Sequence, residues 1–184
     1  MRVGIAVLLT VASSGLFADH KDAKGYERFV REIRHELVML PYYGVFDNLV
    51  YKVDGYKVTL MGQVTRPTLK SDAERVVKDI EGVEQVTNNI EVLPLSPNDD
   101  RIRRAAFQTI YGHPALNRYA FGAVPPIHII VNNGKIALEG VVATEADKNI
   151  AGIQANQVPG AFGVTNNLRT ESGASAEDVR SRKK

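Results

Sequence analysis

The sequence contains one stretch twice, and the two copies start 78 residues apart. The first copy spans residues 57–92, the second spans residues 135–170, and they align without a gap. Their identical positions include a run of four residues, Val86-Thr87-Asn88-Asn89 in the first copy and Val164-Thr165-Asn166-Asn167 in the second. A repeat of this length points to a duplicated structural unit. The sequence therefore predicts two similar small modules.

Hydrophobic periodicity assigns the elements of each module. In the first module, apolar residues recur at helical spacing over residues 24–40. Asp54-Gly55 signals a hairpin turn, and alternating apolar positions over residues 56–64 indicate a strand with one buried face. A second helix starts near Arg66, and residues 83–92 form the last strand. The second module repeats this order with a helix, a hairpin turn, a helix and a strand at residues 101–111, 133–134, 144–156 and 161–170.

Each module is therefore predicted as an αββαβ unit, and the chain as an α+β protein with two such units in tandem. The two helices are expected to cover one face of a three-stranded mixed sheet, because each strand has one apolar face. A right-handed crossover makes the third strand parallel to the second and antiparallel to the first. The first strand is expected to lie between the other two.

The boundary between the modules is predicted at residues 94–100, where two prolines and a polar cluster form a short, stiff linker. The first module is assigned to residues 24–93 and the second to residues 101–171. Residues 172–184 are polar and end in Arg-Ser-Arg-Lys-Lys. They are predicted as a disordered basic tail.

Residues 1–18 have the features of a secretory signal peptide. Arg2 precedes a short apolar run at residues 3–11, and small residues follow as far as Ala18. The run is too short to span a bilayer, which takes about 20 residues. Cleavage after Ala18, or alternatively after Gly15, would release an exported chain.

The sequence contains no catalytic or metal-binding constellation. It has no cysteine, which excludes a disulfide framework, a thiolate nucleophile and a cysteine-based metal site. The four histidines, His20, His35, His113 and His128, are not at metal-ligand spacing. No nucleophile elbow or phosphate-binding loop is present. We therefore expect no enzymatic activity, metal or cofactor, and the net charge of +2 does not point to nucleic acid.

Four repeated glycines are interpreted as structural. Gly62 and Gly140 lie inside predicted strands, where glycine is unfavourable without a reason. A helix packed closely over the sheet or a bulge would explain them, and so would close approach of a ligand to the backbone. Gly82 and Gly160 are expected at the ends of the crossover helices.

Two repeated asparagines, Asn88 and Asn166, fall on the apolar face of the last strand in each module. An unpaired buried amide costs roughly 1–3 kcal/mol, so each side chain needs hydrogen-bond partners. We expect these partners to be loop backbone groups near the glycine turn.

A set of aromatic and basic residues differs between the two copies and forms the candidate binding site. The aromatic residues occupy the connection between the first helix and the first strand of each module, and most of the arginines crowd the first helix of the second module. Aromatic rings with nearby cations suit a membrane interface that contains anionic lipid. The alternative is that the rings pack under the loops and the arginines pair with Asp99 and Asp100. The nine candidate residues are Tyr42, Tyr43, Phe46, Arg101, Arg103, Arg104, Arg118, Tyr119 and Phe121.

The repeated pattern V-x-L-x-G-x-V, a helix and then G-V-x-x-V-x-N-x-I-x-V resembles the BON domain, a family named from bacterial osmotically inducible and nodulation proteins. The first copy carries it at Val58, Leu60, Gly62, Val64, Gly82, Val83, Val86, Asn88, Ile90 and Val92. The second carries it at Ile136, Leu138, Gly140, Val142, Gly160, Val164, Asn166 and Leu168. The second copy departs from the pattern at Ala161 and Thr170.

The resemblance covers about residues 24–93 and 102–171. It implies a non-enzymatic periplasmic or outer-envelope protein that binds phospholipid or other hydrophobic surfaces, with a role in osmotic protection and envelope integrity. The expected partner is anionic phospholipid or a membrane surface. Two alternatives stay open: a module that docks on an envelope or secretion complex, and a chaperone-like periplasmic stress protein.

Overall fold

The structure, a computed structural model, describes residues 18–122 and 124–171. The first module contains α1 (Ala18–Val38), β1 (Asn48–Asp54), β2 (Lys57–Val64), α2 (Pro67–Lys78), β3 (Gln85–Asn88) and β4 (Glu91–Val92). The second contains α3 (Pro97–Tyr111), a 3₁₀ helix (Asn117–Ala120), β5 (Ile127–Asn132), β6 (Lys135–Val142), α4 (Glu145–Asn156), β7 (Gly163–Asn166) and β8 (Arg169–Thr170). Nearly all of the predicted signal peptide, residues 1–17, and the predicted tail, residues 172–184, lie outside the described residues.

The central strand of each sheet is the second strand of its module, so the predicted strand order is wrong. β1 pairs antiparallel with one edge of β2, and β3 pairs parallel with the other edge. The hairpin fixes β1 beside β2, and the short α2 crossover brings the chain back alongside the strand that it left. A central β1 would require the crossover that leaves β2 to pass over β1 and reach its far edge. The parallel pairing of the second and third strands is confirmed.

The third strand of each sheet is interrupted, because β3 and β4 pair with β2 on either side of Asn89 and Ile90. The amide oxygen of Asn88 accepts a hydrogen bond from the backbone N–H of Ile90 at 3.2 Å. Its amide nitrogen donates to the carbonyl of Lys70 in α2 at 3.0 Å. The same nitrogen also donates to the carboxylate of Glu74 in α2 at 3.0 Å. Asn88 therefore bonds backbone as expected, but two of its partners lie in the crossover helix and not near the glycine turn.

Each module has its own core between its helices and one face of its sheet. The first core includes the fully buried Ile33, Leu60 and Leu69, and the second includes Ile102, Ile129 and Leu138. Burial of each such side chain stabilises the fold by about 1.5–3 kcal/mol. The predicted α+β fold class, with two repeated modules, is confirmed. Within the described residues, none of the helices has the length and apolarity needed to cross a bilayer.

Several helix ends differ from the sequence predictions. α3 begins at Pro97, because the Ser96 side chain accepts a hydrogen bond from the N–H of Asp99 at 3.2 Å and caps the helix. The helix therefore includes residues 97–100 of the predicted linker. α2 ends at Lys78, and Gly82 lies in the turn that follows, with a φ of +93°.

The Asn133-Gly134 hairpin turn is found where it was predicted, and both of its residues have positive φ. The first hairpin is shifted by one residue, because Asp54 pairs with Lys57 and leaves Gly55-Tyr56 as the two-residue loop. Only Gly55 has a positive φ there, which fits a type II′ turn.

Candidate functional site

The nine candidate residues lie in several places and do not form one patch. Two of them, Tyr43 and Phe46, bracket the segment at residues 43–46, which contacts the second module and is called the junction segment below. The backbone N–H of Ile129 in β5 donates to the carbonyl of Val45 at 2.7 Å. The junction segment therefore extends the sheet of the second module at the free edge of β5.

Two carbonyls on the same edge of β5 accept hydrogen bonds from side chains of α3. The hydroxyl of Tyr111 donates to the carbonyl of Ile127 at 2.5 Å. Nη2 of Arg103 donates to the carbonyl of Val131 at 2.7 Å. Side chains from α3 thus cap the strand edge on both sides of the contact with Val45.

Arg103 is consequently buried, with 5% of its surface exposed, and its Nη1 lies 2.6 Å from the carboxylate of Asp100. Arg101 points elsewhere and donates to the side chain of Asn98 at 2.9 Å. Arg104 is exposed and forms no ion pair with any side chain in the described ranges. Of the three arginines on α3, only Arg104 is an exposed cation without a polar partner.

Tyr43 stacks on His128 of β5, with ring centroids 5.6 Å apart and planes at 19°. Its hydroxyl lies 3.5 Å from Nε2 of His128. Burial raises the pKa of Tyr43 to about 12. Burial also lowers the pKa of His128, against the opposing effects of the backbone of Gly44 and Asp47 and of the Asp47 and Glu139 carboxylates. Both rings are therefore neutral near pH 7 and form part of the contact between the modules.

A shallow groove of about 330 Å³ lies beside this contact and is lined by Val45, Phe46, Arg104, Phe107 and Gln108. The rings of Phe46 and Phe107 meet edge to face, with centroids 6.3 Å apart. Arg104 contributes the only cationic side chain among these lining residues. This junction groove combines an apolar floor with one unpaired cation.

Arg118 and Tyr119 belong to a separate network at the start of α4. Nη2 of Arg118 and the hydroxyl of Tyr119 both donate to the carboxylate of Asp147, at 2.6 and 3.0 Å. The side chain of Thr144 caps α4 and also donates to that carboxylate. Burial alone would raise the pKa of Asp147, but these hydrogen bonds and the charge of Arg118 hold the pKa below its usual value. The network anchors the connection before β5 to α4.

Two candidate aromatic residues are largely exposed. Tyr42 is 72% exposed, and the guanidinium of Arg66 lies 4.7 Å from the centre of its ring. Phe121 is 81% exposed, at the end of the connection before β5.

Sequence reasoning missed Phe107 and His128 as junction residues, although a signal for each exists. Phe107 is an aromatic residue off the apolar stripe of α3. Residues 127–131 form a continuous apolar run around His128, which is typical of a strand that is buried on both faces. The matching strand β1 has alternating exposure. The difference indicates that something covers the second face of β5.

The described residues contain no group of three or more acidic, histidine or cysteine side chains that could hold a metal ion. The local chemistry is that of aromatic, aliphatic and guanidinium groups. Such a surface can bind apolar and anionic groups.

The fold and these surfaces define a tandem of two small αββαβ modules. The family model of the BON domain matches residues 32–94 and 99–172, and the chain belongs to the BON domain family. This family is generally non-enzymatic, and its proteins are typically associated with the cell envelope, which indicates an envelope-associated function.

Among curated proteins, none matches the chain. The solved structures that are similar to it include two of CdsD. One is the C-terminal domain of CdsD, the structural protein of the Type III secretion system of Chlamydia trachomatis, with 16% identity, a TM-score of 0.33, and coverage of 83% of this chain and 71% of that chain. The other is a second CdsD structure, with 14% identity, a TM-score of 0.28, and coverage of 83% and 98%. At these TM-scores the similarity carries no argument about function.

Proposed function

We propose that the protein is a non-enzymatic protein of the bacterial envelope that binds anionic phospholipid, with the junction groove as the contact site. The observation that carries this proposal is the unpaired guanidinium of Arg104 beside a groove lined by Phe46 and Phe107. The other arginines of α3 are bound to Asn98, Asp100 and the backbone of β5.

The chemistry of the groove fits a lipid at a membrane surface. A guanidinium binds a headgroup phosphate through charge-assisted hydrogen bonds. The partly exposed edges of Phe46 and Phe107 suit the boundary between headgroups and acyl chains. The pair of Tyr42 and Arg66 offers a second aromatic–cation contact on the first module. Each cation near an anionic surface contributes about 1 kcal/mol.

The family suggests a periplasmic location and a role in osmotic or envelope stress protection. An N-terminal signal peptide would deliver the chain there. Both statements rest on the family and the sequence of residues 1–18, and both belong to this proposal.

Co-sedimentation with anionic and neutral vesicles across a range of salt concentrations tests the proposal. Arg104→Glu replaces a positive charge with a negative one, so it should cost about 2 kcal/mol of binding to anionic vesicles. That loss corresponds to roughly 30-fold weaker binding. Arg75→Glu makes the same charge change on the exposed face of α2, where Arg75 pairs with Asp72, and should change binding much less.

Phe107→Ser should also weaken binding, because it removes the apolar side of the groove without changing charge. Equal losses in the Arg104→Glu and Arg75→Glu variants would mean that net charge alone drives adsorption and that the groove is not the site. Failure of the unmodified chain to bind anionic vesicles at low salt would overturn the lipid proposal. A docking module on an envelope or secretion complex, or a chaperone-like stress protein, would then be the function to test.

A further inference from the structure

The contact between the modules is built from a segment that the second module also contains. In the first module, Tyr43 and Gly44 lie ahead of β1, and Tyr43 stacks on His128 of the second module. In the second module, Phe121 and Gly122 lie at the matching distance ahead of β5. Both pairs are an aromatic residue followed by glycine, and they keep the offset of the repeat.

The two segments differ in what they contact. Tyr43 is half-buried against His128, whereas Phe121 is 81% exposed. Phe121 therefore corresponds to the contact residue Tyr43, but within the described part of the chain no ring stacks on it as His128 stacks on Tyr43.

The first module presents a matching receiving strand. Val50 in β1 corresponds to His128 in β5. Val50 pairs with Met61 and His128 pairs with Glu139, and both residues of the second pair lie 78 residues after those of the first. Val50 is 42% exposed, while His128 is buried. The strand that the junction segment covers in the second module is thus open at the same place in the first module.

We propose that Phe121 of one copy binds over Val50 on β1 of a second copy, in the way that Tyr43 binds over His128 within one chain. The second copy is the occupant because the repeat supplies both halves of one contact, Phe121 in the second module and Val50 in the first. The two halves are different surfaces, so the contact is heterologous and joins copies head to tail. It builds chains or rings and does not stop at a two-fold dimer.

The expected association is weak. Within one chain, the short connection between the modules gives the junction an effective concentration on the order of 1 mM. Separate copies lack this advantage. Lys52 in β1 corresponds to the buried Ile130 in β5. The charged side chain makes the surface around Val50 less apolar and restricts strand-edge association.

Sedimentation equilibrium of the full chain, at concentrations up to about 1 mM, tests the proposal. The weight-average mass should rise above that of the monomer as the concentration increases. Phe121→Ser should keep the chain monomeric. Phe162→Ser is the matched control, because Phe162 is also an aromatic residue of the second module and is 80% exposed. A constant monomer mass for the unmodified chain, or equal association of the Phe121→Ser variant, would overturn the proposal.

Cross-linking identifies the contact directly, because the chain has no cysteine of its own. The cysteines are placed next to the contact residues, so that Phe121 and Val50 stay in place: Ala120 precedes Phe121, and the exposed Lys52 lies two residues from Val50 on the same face of β1. A mixture of the Ala120→Cys and Lys52→Cys variants, treated with a short bismaleimide, should form more cross-linked dimer than either variant alone. The pair of Phe162→Cys and Lys52→Cys sets the background. Dimer formation by Ala120→Cys alone at the level of the mixture would mean a two-fold contact, which contradicts the head-to-tail geometry. These measurements contain no lipid, so their outcome is independent of the proposed phospholipid binding.

Discussion

Gly62 and Gly140 lie inside strands at positions where the backbone leaves no room for a Cβ atom. Their φ angles are +105° and +117°, a region that residues with a side chain rarely adopt. A Cβ at Gly62 would lie 2.0 Å from the carbonyl oxygen of Asn48, and one at Gly140 would lie 2.0 Å from that of Pro126. The nearest atoms thus belong to the start of the paired strand and not to a helix over the sheet.

Gly140→Ala should destabilise the protein by at least about 3 kcal/mol, because it adds backbone strain and forces Pro126 away. Gly163→Ala is the matched control, because Gly163 lies in β7 of the same module and has nothing within 4 Å of an added Cβ. Its effect should stay within about 0.5 kcal/mol. Urea unfolding measures both. Similar stabilities of the two variants would show that the strand can relax around the new methyl group.

The repeated asparagines show what a sequence can and cannot indicate about a single residue. The repeat and the apolar face predict that Asn88 and Asn166 bond backbone groups. The sequence does not reveal that both side-chain amides also donate hydrogen bonds to the crossover helix, to the carbonyls of Lys70 and Lys148. Alternation fixes which face of a strand a residue occupies, but the helix residue above it depends on how the helix packs.

At the scale of elements, Asp99 ties α3 to the β5–β6 hairpin. Its carboxylate is buried and accepts hydrogen bonds from the backbone N–H groups of Asn133 and Gly134, at 3.0 and 2.8 Å. Ser96 caps the helix, so Asp99 is free to face the hairpin turn. The turn amides are donors that no strand can pair, and the carboxylate satisfies both.

Asp99→Ala should lower the free energy of unfolding by about 2–4 kcal/mol, because it leaves two amides without an acceptor. Asn98→Ala changes the neighbouring exposed residue and should have little effect, since it removes only a surface contact with Arg101. Guanidinium unfolding curves of the two variants give the comparison. Equal midpoints would indicate that water replaces the carboxylate at the turn.

Most elements could be predicted from local patterns, whereas their arrangement could not. The helical spacing around Ile33 and the Asn133-Gly134 turn depend on neighbouring residues in the chain. The position of β2 between β1 and β3 depends on how a crossover returns to the sheet, and strand patterns do not encode that path. The burial of Arg103 likewise follows from its hydrogen bond to the carbonyl of Val131 on the edge of β5. Val131 lies 28 residues further along the chain, so no local pattern predicts the contact.

At the scale of the whole molecule, the two modules are connected through aromatic contacts and one strand-edge hydrogen bond. Nine residues were predicted as one aromatic and basic set, but the structure distributes them over the junction, the start of α4 and the open surface. The two repeats have different residues where the modules contact each other. An alignment of the repeats therefore does not identify the residues of the junction. His128 and its match Val50 are the clearest case.

His128 should make the stability of the protein depend on pH. Burial lowers the pKa of His128 in the folded state below its usual 6.5, so the unfolded chain binds a proton more readily. Stability is therefore unaffected above about pH 6.5 and decreases as the pH falls below it, down to the folded pKa. Tyr43 faces the imidazole as a neutral phenol, and Asp47 and Glu139 supply the nearest carboxylates, which limit the shift without reversing it.

Thermal melting at about pH 7.5 and about pH 5.5 should show a lower Tm at the lower pH, because the unfolded chain takes up a proton at His128 more readily than the folded protein, where the ring is buried against Tyr43. His128→Phe keeps an aromatic ring against Tyr43 and cannot take up a proton, so its Tm should change less between the two conditions. His35→Phe makes the same substitution at an exposed position on α1 and should keep the full pH dependence. If His128→Phe loses as much stability on acidification as the unmodified chain, the proton that weakens the fold binds elsewhere and the junction is not the pH-sensitive contact.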